Sequence, residues 1–287
     1  MEPLDILSVV ARAAAFILAL QSAGLAWFAA ACGRSAVAAG ASLHGLLRVS
    51  ALCALALVLT HRGLDAARLA GEWSGMLDAR LQVLVWSRHP GVSSTVCALG
   101  LSAVLVSGAK PARWAGYLGS VGALAIAASF ALTGHTRQAA HAGLARGLIS
   151  VHVGIVAYWI GAVAGLHRLT RQSDSWALVR AAAQFSRTAV WLVPLILPAG
   201  LALIWTLLPD LAALRTVYGG FLLAKFLGFC VLIVLAAANR LRYVPALAAA
   251  GTAFGIRAFQ RVLIAEYVVL GSVLAATAAM TSLFSWH

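Results

Sequence analysis

The chain has 287 residues, of which 62% are hydrophobic and only 10% charged, and its formal charge is +13. A soluble domain carries about 25% charged residues, so a water-facing globule is excluded. The basic residues are scattered between apolar runs, with no basic run interleaved with aromatics, which leaves no nucleic-acid partner and points to an all-α polytopic membrane protein.

A helix needs about 20 apolar residues to cross the hydrocarbon core. Eight segments qualify, near 6–31, 43–60, 91–109, 114–133, 147–167, 186–208, 216–238 and 258–283, and they predict a single membrane domain over residues 1–287. The first is not expected to be a cleavable signal peptide, because Glu2 and Asp5 stand where a basic region would be and the apolar run is too long. The connection 61–91 is too charged to span, yet "MLDARLQVLVW" within it has amphipathic helical spacing, which predicts a short interfacial helix between spans two and three. "KPAR" (110–113), "HRLTRQSDS" (167–175), "PDLAALR" (209–215) and "NRLRYVP" (239–245) punctuate the later spans. "GAVAG" (161–165) and the spaced Gly116, Gly119 and Gly122 are small-residue patterns that let helices approach closely.

Orientation follows from where Lys and Arg fall. The odd-numbered connections hold eleven of these residues and the even-numbered ones seven, so the odd connections are expected in the cytoplasm and both termini outside. On that topology six of the eight histidines gather at the outer face, and only His44 and His167 fall on the other. His135 and His141 lie in the fourth connection and His152 at the top of the fifth span. His61 and His89 bracket the second connection.

Imidazole is a ligand for copper, zinc and iron, and a histidine inside a span normally faces a partner or a cavity. Antiparallel helices joined by one short loop bring His135 and His152 to similar depth, where they could share an ion. Helix-end histidines that only bond carbonyls are the plainer alternative. Trp159, seven residues beyond His152, lies on the same helix face and is a candidate pocket wall, or an ordinary packing residue. Lys225 and Glu266 sit deep in spans seven and eight, where charges pair with each other or line a pathway. The four cysteines are scattered without a CxxC, so neither a zinc site nor a disulfide framework is indicated. No HExxH, partnered GxSxG or Walker loop occurs, and no enzyme activity is expected unless a redox cofactor binds.

The sequence resembles the copper resistance protein D (CopD) family of bacterial inner-membrane proteins over nearly its whole length. The resemblance rests on "TGHT" (133–136), "SVHVGIVAYWIGAVAGL" (150–166), "FSRTAVWLVPLILPAGL" (185–201), "TVYGGFLLAKFLGFCVLIVLAAANRLRYVPAL" (216–247) and "RVLIAEYVVLGSVLAATA" (261–278). "GMLDARLQVLVWSRHPG" resembles the family's outer amphipathic segment. It implies eight transmembrane helices and a role in copper homeostasis, generally described as moving copper from periplasm to cytoplasm. Family residues carry over as His135, His152, Trp159, Gly161, Tyr218, Lys225, Asn239, Arg240 and Glu266. Two positions depart from the pattern: "YGG" (218–220), followed by Phe221, stands where "YGR" is expected, and Tyr158 replaces a small or aliphatic residue.

Two functions fit these residues. A copper permease would capture the ion at His135 and His152, with His141 as a weaker capture residue, and receive it from a periplasmic copper-binding protein. The alternative is a haem-b-binding membrane redox protein, with histidine pairs as axial ligands and Trp159 and Tyr218 walling the pocket.

Overall fold

A computed structural model describes residues 3–32, 40–109, 113–132, 142–172, 175–207, 215–250 and 253–283. Among these there is no strand, and eight helical segments are long and apolar enough to cross a membrane. The all-α polytopic bundle expected from the apolar runs is the fold observed.

Helix α1 (Pro3–Cys32) is followed by α2 (Gly40–Ala70). The polar residues after position 60 were expected to end the second span, but α2 carries them for almost three more turns. They are tolerated because they pair: Arg62 Nη2 lies 2.6 Å from Asp65, and Arg68 Nε donates to Asp5 on α1 at 2.8 Å. At 1.5 Å per residue α2 is about 46 Å long, which exceeds the roughly 30 Å hydrocarbon core and carries its last turns to headgroup level. Gly71, with φ of 75°, turns the chain out of the helix.

A 3₁₀ turn (Trp73–Leu77) and α3 (Ala79–Ser87) form the expected interfacial segment. Asp78 caps α3 by accepting from the backbone N–H groups of Arg80 and Leu81. Leu77 and Val83 stay exposed at 90% and 70%, as a helix lying in a lipid interface requires. Helix α4 (His89–Ser107) starts with Pro90 in its first turn, and α5 (Arg113–Ser129) ends in a 3₁₀ turn (Phe130–Leu132).

Helix α6 (Ala142–Leu169) crosses the bundle centre. The sixth span differs from its expected form: it is two helices, α7 (Ser175–Leu192) and α8 (Ile196–Leu207), joined by a 3₁₀ turn (Val193–Leu195) at Pro194. Proline offers no N–H to the helix ladder and clashes with the preceding turn, so the break falls there. The seventh span, α9 (Val217–Ala238), passes through a π-helical turn (Asn239–Tyr243) into α10 (Val244–Ala250), and α11 (Ala253–Leu283) closes the bundle.

The core is organised by small residues. Helix α1 packs against α2, α5, α6 and α11, and crosses α6 with Gly24 against Gly161. A side chain on Gly24 would meet the Ala157 carbonyl at 1.7 Å, and one on Gly161 would meet the Gly24 backbone at 2.2 Å. Gly100 and Gly122 make the equivalent approach between α4 and α5. Small residues thus act as packing surfaces, although Gly116, expected in that role, has open space beside it.

Candidate functional site

The face of α6 that turns toward α8 and α11 carries two polar positions. His152 is half-buried. Its ring hydrogen-bonds the Ile196 backbone at the start of α8, and a Cβ on Gly200 would stand 3.7 Å from the imidazole Cε1. Nδ1 is buried and has no hydrogen-bond partner among the described residues. His152 lies ten residues beyond Ala142, about 15 Å down the helix at 1.5 Å per residue. That is deeper than the first turns in which the apolar pattern placed it, because α6 begins earlier than position 147.

Lys225 approaches the same level from α9. It stands eight residues beyond Val217, about 12 Å down its helix, and it lies within electrostatic reach of His152. Among the described residues no ion pair joins Lys225 to Glu266. Glu266 is 0% exposed, and each of its oxygens has its own donor. Trp159 Nε1 donates to Oε2 at 3.2 Å, and Asn239 Nδ2 donates to Oε1. The carboxyl group is therefore held by neutral donors from α6 and from the π-helical turn. Such turns interrupt the helix ladder and recur at functional sites; here the turn carries Asn239, with its Oδ1 buried and unpartnered, and Arg240, which donates to Ser186 of α7.

Trp159 is 1% exposed and a hydrogen-bond partner of Glu266. A lateral groove of about 360 Å³ runs on another face of α6, lined by Trp27, Ser150, Gly154, Tyr158 and neighbours. His152 is not among its lining residues. His61, expected at the outer face, is buried in α2, where Ser8 Oγ contacts its Nδ1 at 3.3 Å and Asp65 lies 3.9 Å away. His89 opens α4, and Tyr218 stands half-buried in the first turn of α9. His135 and His141 lie outside the described residues. Among the described residues, no three of His, Cys, Asp and Glu converge as a metal cluster.

The residue pattern did not disclose one polar chain. Tyr267, next to Glu266, donates to Gln21 Oε1 at 2.5 Å, and Gln21 Nε2 donates to Ser50 at 2.6 Å, tying α11, α1 and α2 together. The signal was Gln21 itself, an amide in an otherwise apolar span, where an unpartnered polar group is costly.

Residues 179–280 match the family model for Copper resistance protein D. No curated protein and no solved structure matches the chain. The matched stretch contains Tyr218, Lys225, Asn239, Arg240 and Glu266; His135, His152 and Trp159 precede it. It supports a multi-pass membrane protein of copper resistance.

Proposed function

Because residues 179–280 match the family model for Copper resistance protein D, we propose that the protein is a copper permease. Copper is its cargo, taken up at an outer-face histidine site and moved from periplasm to cytoplasm across the bacterial inner membrane. The observation that carries this reading is the free, buried Nδ1 of His152. The imidazole lies against the Ile196 backbone at the start of α8, and its Nδ1 is left without a competing hydrogen-bond partner among the described residues. Metal-binding histidines are commonly prepared in this way.

His135 and His141 complete the capture site in this reading, with His141 the weaker and more peripheral ligand. From His152 the route follows one face of α6 to Trp159, seven residues deeper, where Asn239 and Glu266 supply oxygen. Lys225 stands beside the upper part of the route, and its positive charge opposes free passage of a cation. Passage is therefore controlled at that level. With no nucleotide-binding loop in the chain, movement in this reading is passive or follows a gradient, with enzyme activity only if a redox cofactor binds. A periplasmic copper-binding protein is the source of cargo.

A haem-b protein needs an axial imidazole directed into a cavity. The described groove is lined by the Ser150–Gly154–Tyr158 face of α6, beside the face that carries His152, and haem b stands as the second reading.

The test measures copper bound per folded molecule in detergent. His135→Ala and His152→Ala should each abolish high-affinity binding, and His141→Ala should cost much less. Unchanged stoichiometry in both of the first two variants overturns the site. A Soret band in the purified protein would establish the haem reading instead.

A further inference from the structure

A second polar cluster, away from the α6 route, occupies the corner between α1, α2 and the end of α11. It contains three guanidinium groups, Arg12, Arg62 and Arg68, against two carboxylates, Asp5 and Asp65. Arg68 is shared between Asp5 at 2.8 Å and Asp65 at 3.8 Å, and Arg62 Nη2 binds Asp65 at 2.6 Å. Arg12 differs from both. Its bonds run to neutral oxygens only, Ser282 Oγ at 3.3 Å and the Thr281 carbonyl at 3.5 Å, and its guanidinium lies 5.3 Å from the Phe16 ring. Arg62, Asp65 and Arg68 are within its electrostatic reach. Asp65 and Asp5 are the described partners of Arg62 and Arg68, and no described carboxylate lies within ion-pair distance of Arg12. Arg62 supplies an independent sign of a missing partner: it is only 7% exposed, and its Nε is buried without any acceptor.

The depth of these groups indicates the partner. Arg12 is twenty residues from Cys32 at the far end of α1, and Arg62 is nineteen from Leu43 in α2. At 1.5 Å per residue each stands about 30 Å from the opposite side, one hydrocarbon thickness away and thus level with lipid phosphates. The interfacial segment confirms the level: Trp73 is 55% exposed, and Met76 packs on Leu4, Ala11, Leu64 and Ala67 beside the cluster. Tryptophan favours the headgroup boundary.

We propose that this corner binds one phosphate monoanion through Arg12 and Arg62, and that the anion is the phosphodiester headgroup of a phospholipid in the adjoining leaflet. A phosphodiester carries a single negative charge, which suits the one guanidinium of this cluster without a described carboxylate partner, Arg12, and its acyl chains fit the lipid-facing surface below. Guanidinium is suited to this role, because its planar donors match phosphate oxygens.

The experiment uses the full chain, purified in a mild detergent and stripped of lipid. Phosphatidylglycerol, diacylglycerol and inorganic phosphate are each titrated while thermal stability is followed, and retained lipid is read by native mass spectrometry. The expected result is saturable stabilisation by phosphatidylglycerol alone. Arg12→Gln is the informative variant, since no carboxylate depends on Arg12 within ion-pair distance; Arg62→Gln would strip Asp65 of its closest partner. Arg12→Gln should be at least as stable as the parent without lipid, yet need about tenfold more phosphatidylglycerol, the loss expected for one charged hydrogen-bonded contact. Arg257→Gln, at the opposite end of α11, should respond like the parent. Equal stabilisation by diacylglycerol, or an Arg12→Gln response equal to the parent's, overturns the site. A full response to inorganic phosphate overturns the lipid as its source.

Discussion

Glu266 owes its place inside the bilayer to two neutral donors on other helices, and this changes what mutation should reveal. The depth of Lys225 and Glu266 in neighbouring spans was legible from the apolar runs, and the expectation of a mutual pair or a pathway followed from it. The actual donors were not legible from spacing, because Trp159 is 107 positions from Glu266 and nothing in a linear pattern matches a tryptophan to a carboxyl group. Asn239 was reachable only through the family resemblance. Removing one donor leaves a buried oxygen unsatisfied, so Trp159→Phe and Asn239→Leu should each destabilise by about 1–3 kcal/mol. In double-mutant cycles Glu266→Leu should couple strongly with Asn239→Leu, the pair losing less than the sum of the single changes. Glu266→Leu with Lys225→Met should be additive within about 0.5 kcal/mol. Reversible unfolding in detergent or bicelles measures both cycles, and strong coupling of the second pair would restore a direct Lys225–Glu266 interaction.

Among the elements, the helices were legible in number and order but not in their ends. Charges that looked like loop residues in 61–70 remain helical because Asp65 within α2 and Asp5 on α1 pair with them, and the pairing across helices leaves no trace in local composition. The break at Pro194 was visible as a residue yet smoothed over by the apolar run around it. The small-residue pattern in α6 was read as packing, and the structure supplies its partner, Gly24, which sits in no comparable motif. Two substitutions separate essential from incidental glycines. Gly24→Val must push α1 off α6, since even a Cβ would overlap the Ala157 carbonyl; overpacking of well-packed cores typically costs 1–3 kcal/mol, and here backbone meets backbone, so the effect should be at or above that range. Gly116→Ala has open space and gains helix propensity, worth up to about 1 kcal/mol. The yield of monodisperse folded protein should fall sharply for the first and stay level or rise for the second.

For the whole molecule, eight spans were legible because a bilayer imposes one length on every crossing, whereas sidedness rests on the weaker bias of basic residues. The structure alters the terms of that bias without reversing it. Arg62 and Arg68, counted with an outer loop, lie inside α2 and are bound to Asp65 and Asp5; a paired arginine within a helix contributes less to topology than a free one in a loop. Arg180 and Arg187 move into α7, in its second and fourth turns. Both tallies are weakened, since Arg240, Arg242, Arg257 and Arg261 of the inner side also lie within helical segments. Everything proposed for the α6 route depends on this sidedness, because His152 lies nearer the Ala142 end of α6, and the direction of copper movement is set by the compartment that end faces. An alkaline phosphatase fusion at residue 140 should be active and a fluorescent-protein fusion there dark. Fusions at residue 175 should show the reverse. Adding two arginines beside residue 140 should lower the correctly inserted fraction, since it works against the existing asymmetry. If the fusion at 140 fluoresces and the one at 175 exports, the histidine site faces the cytoplasm, and the same geometry would describe an exporter's intake.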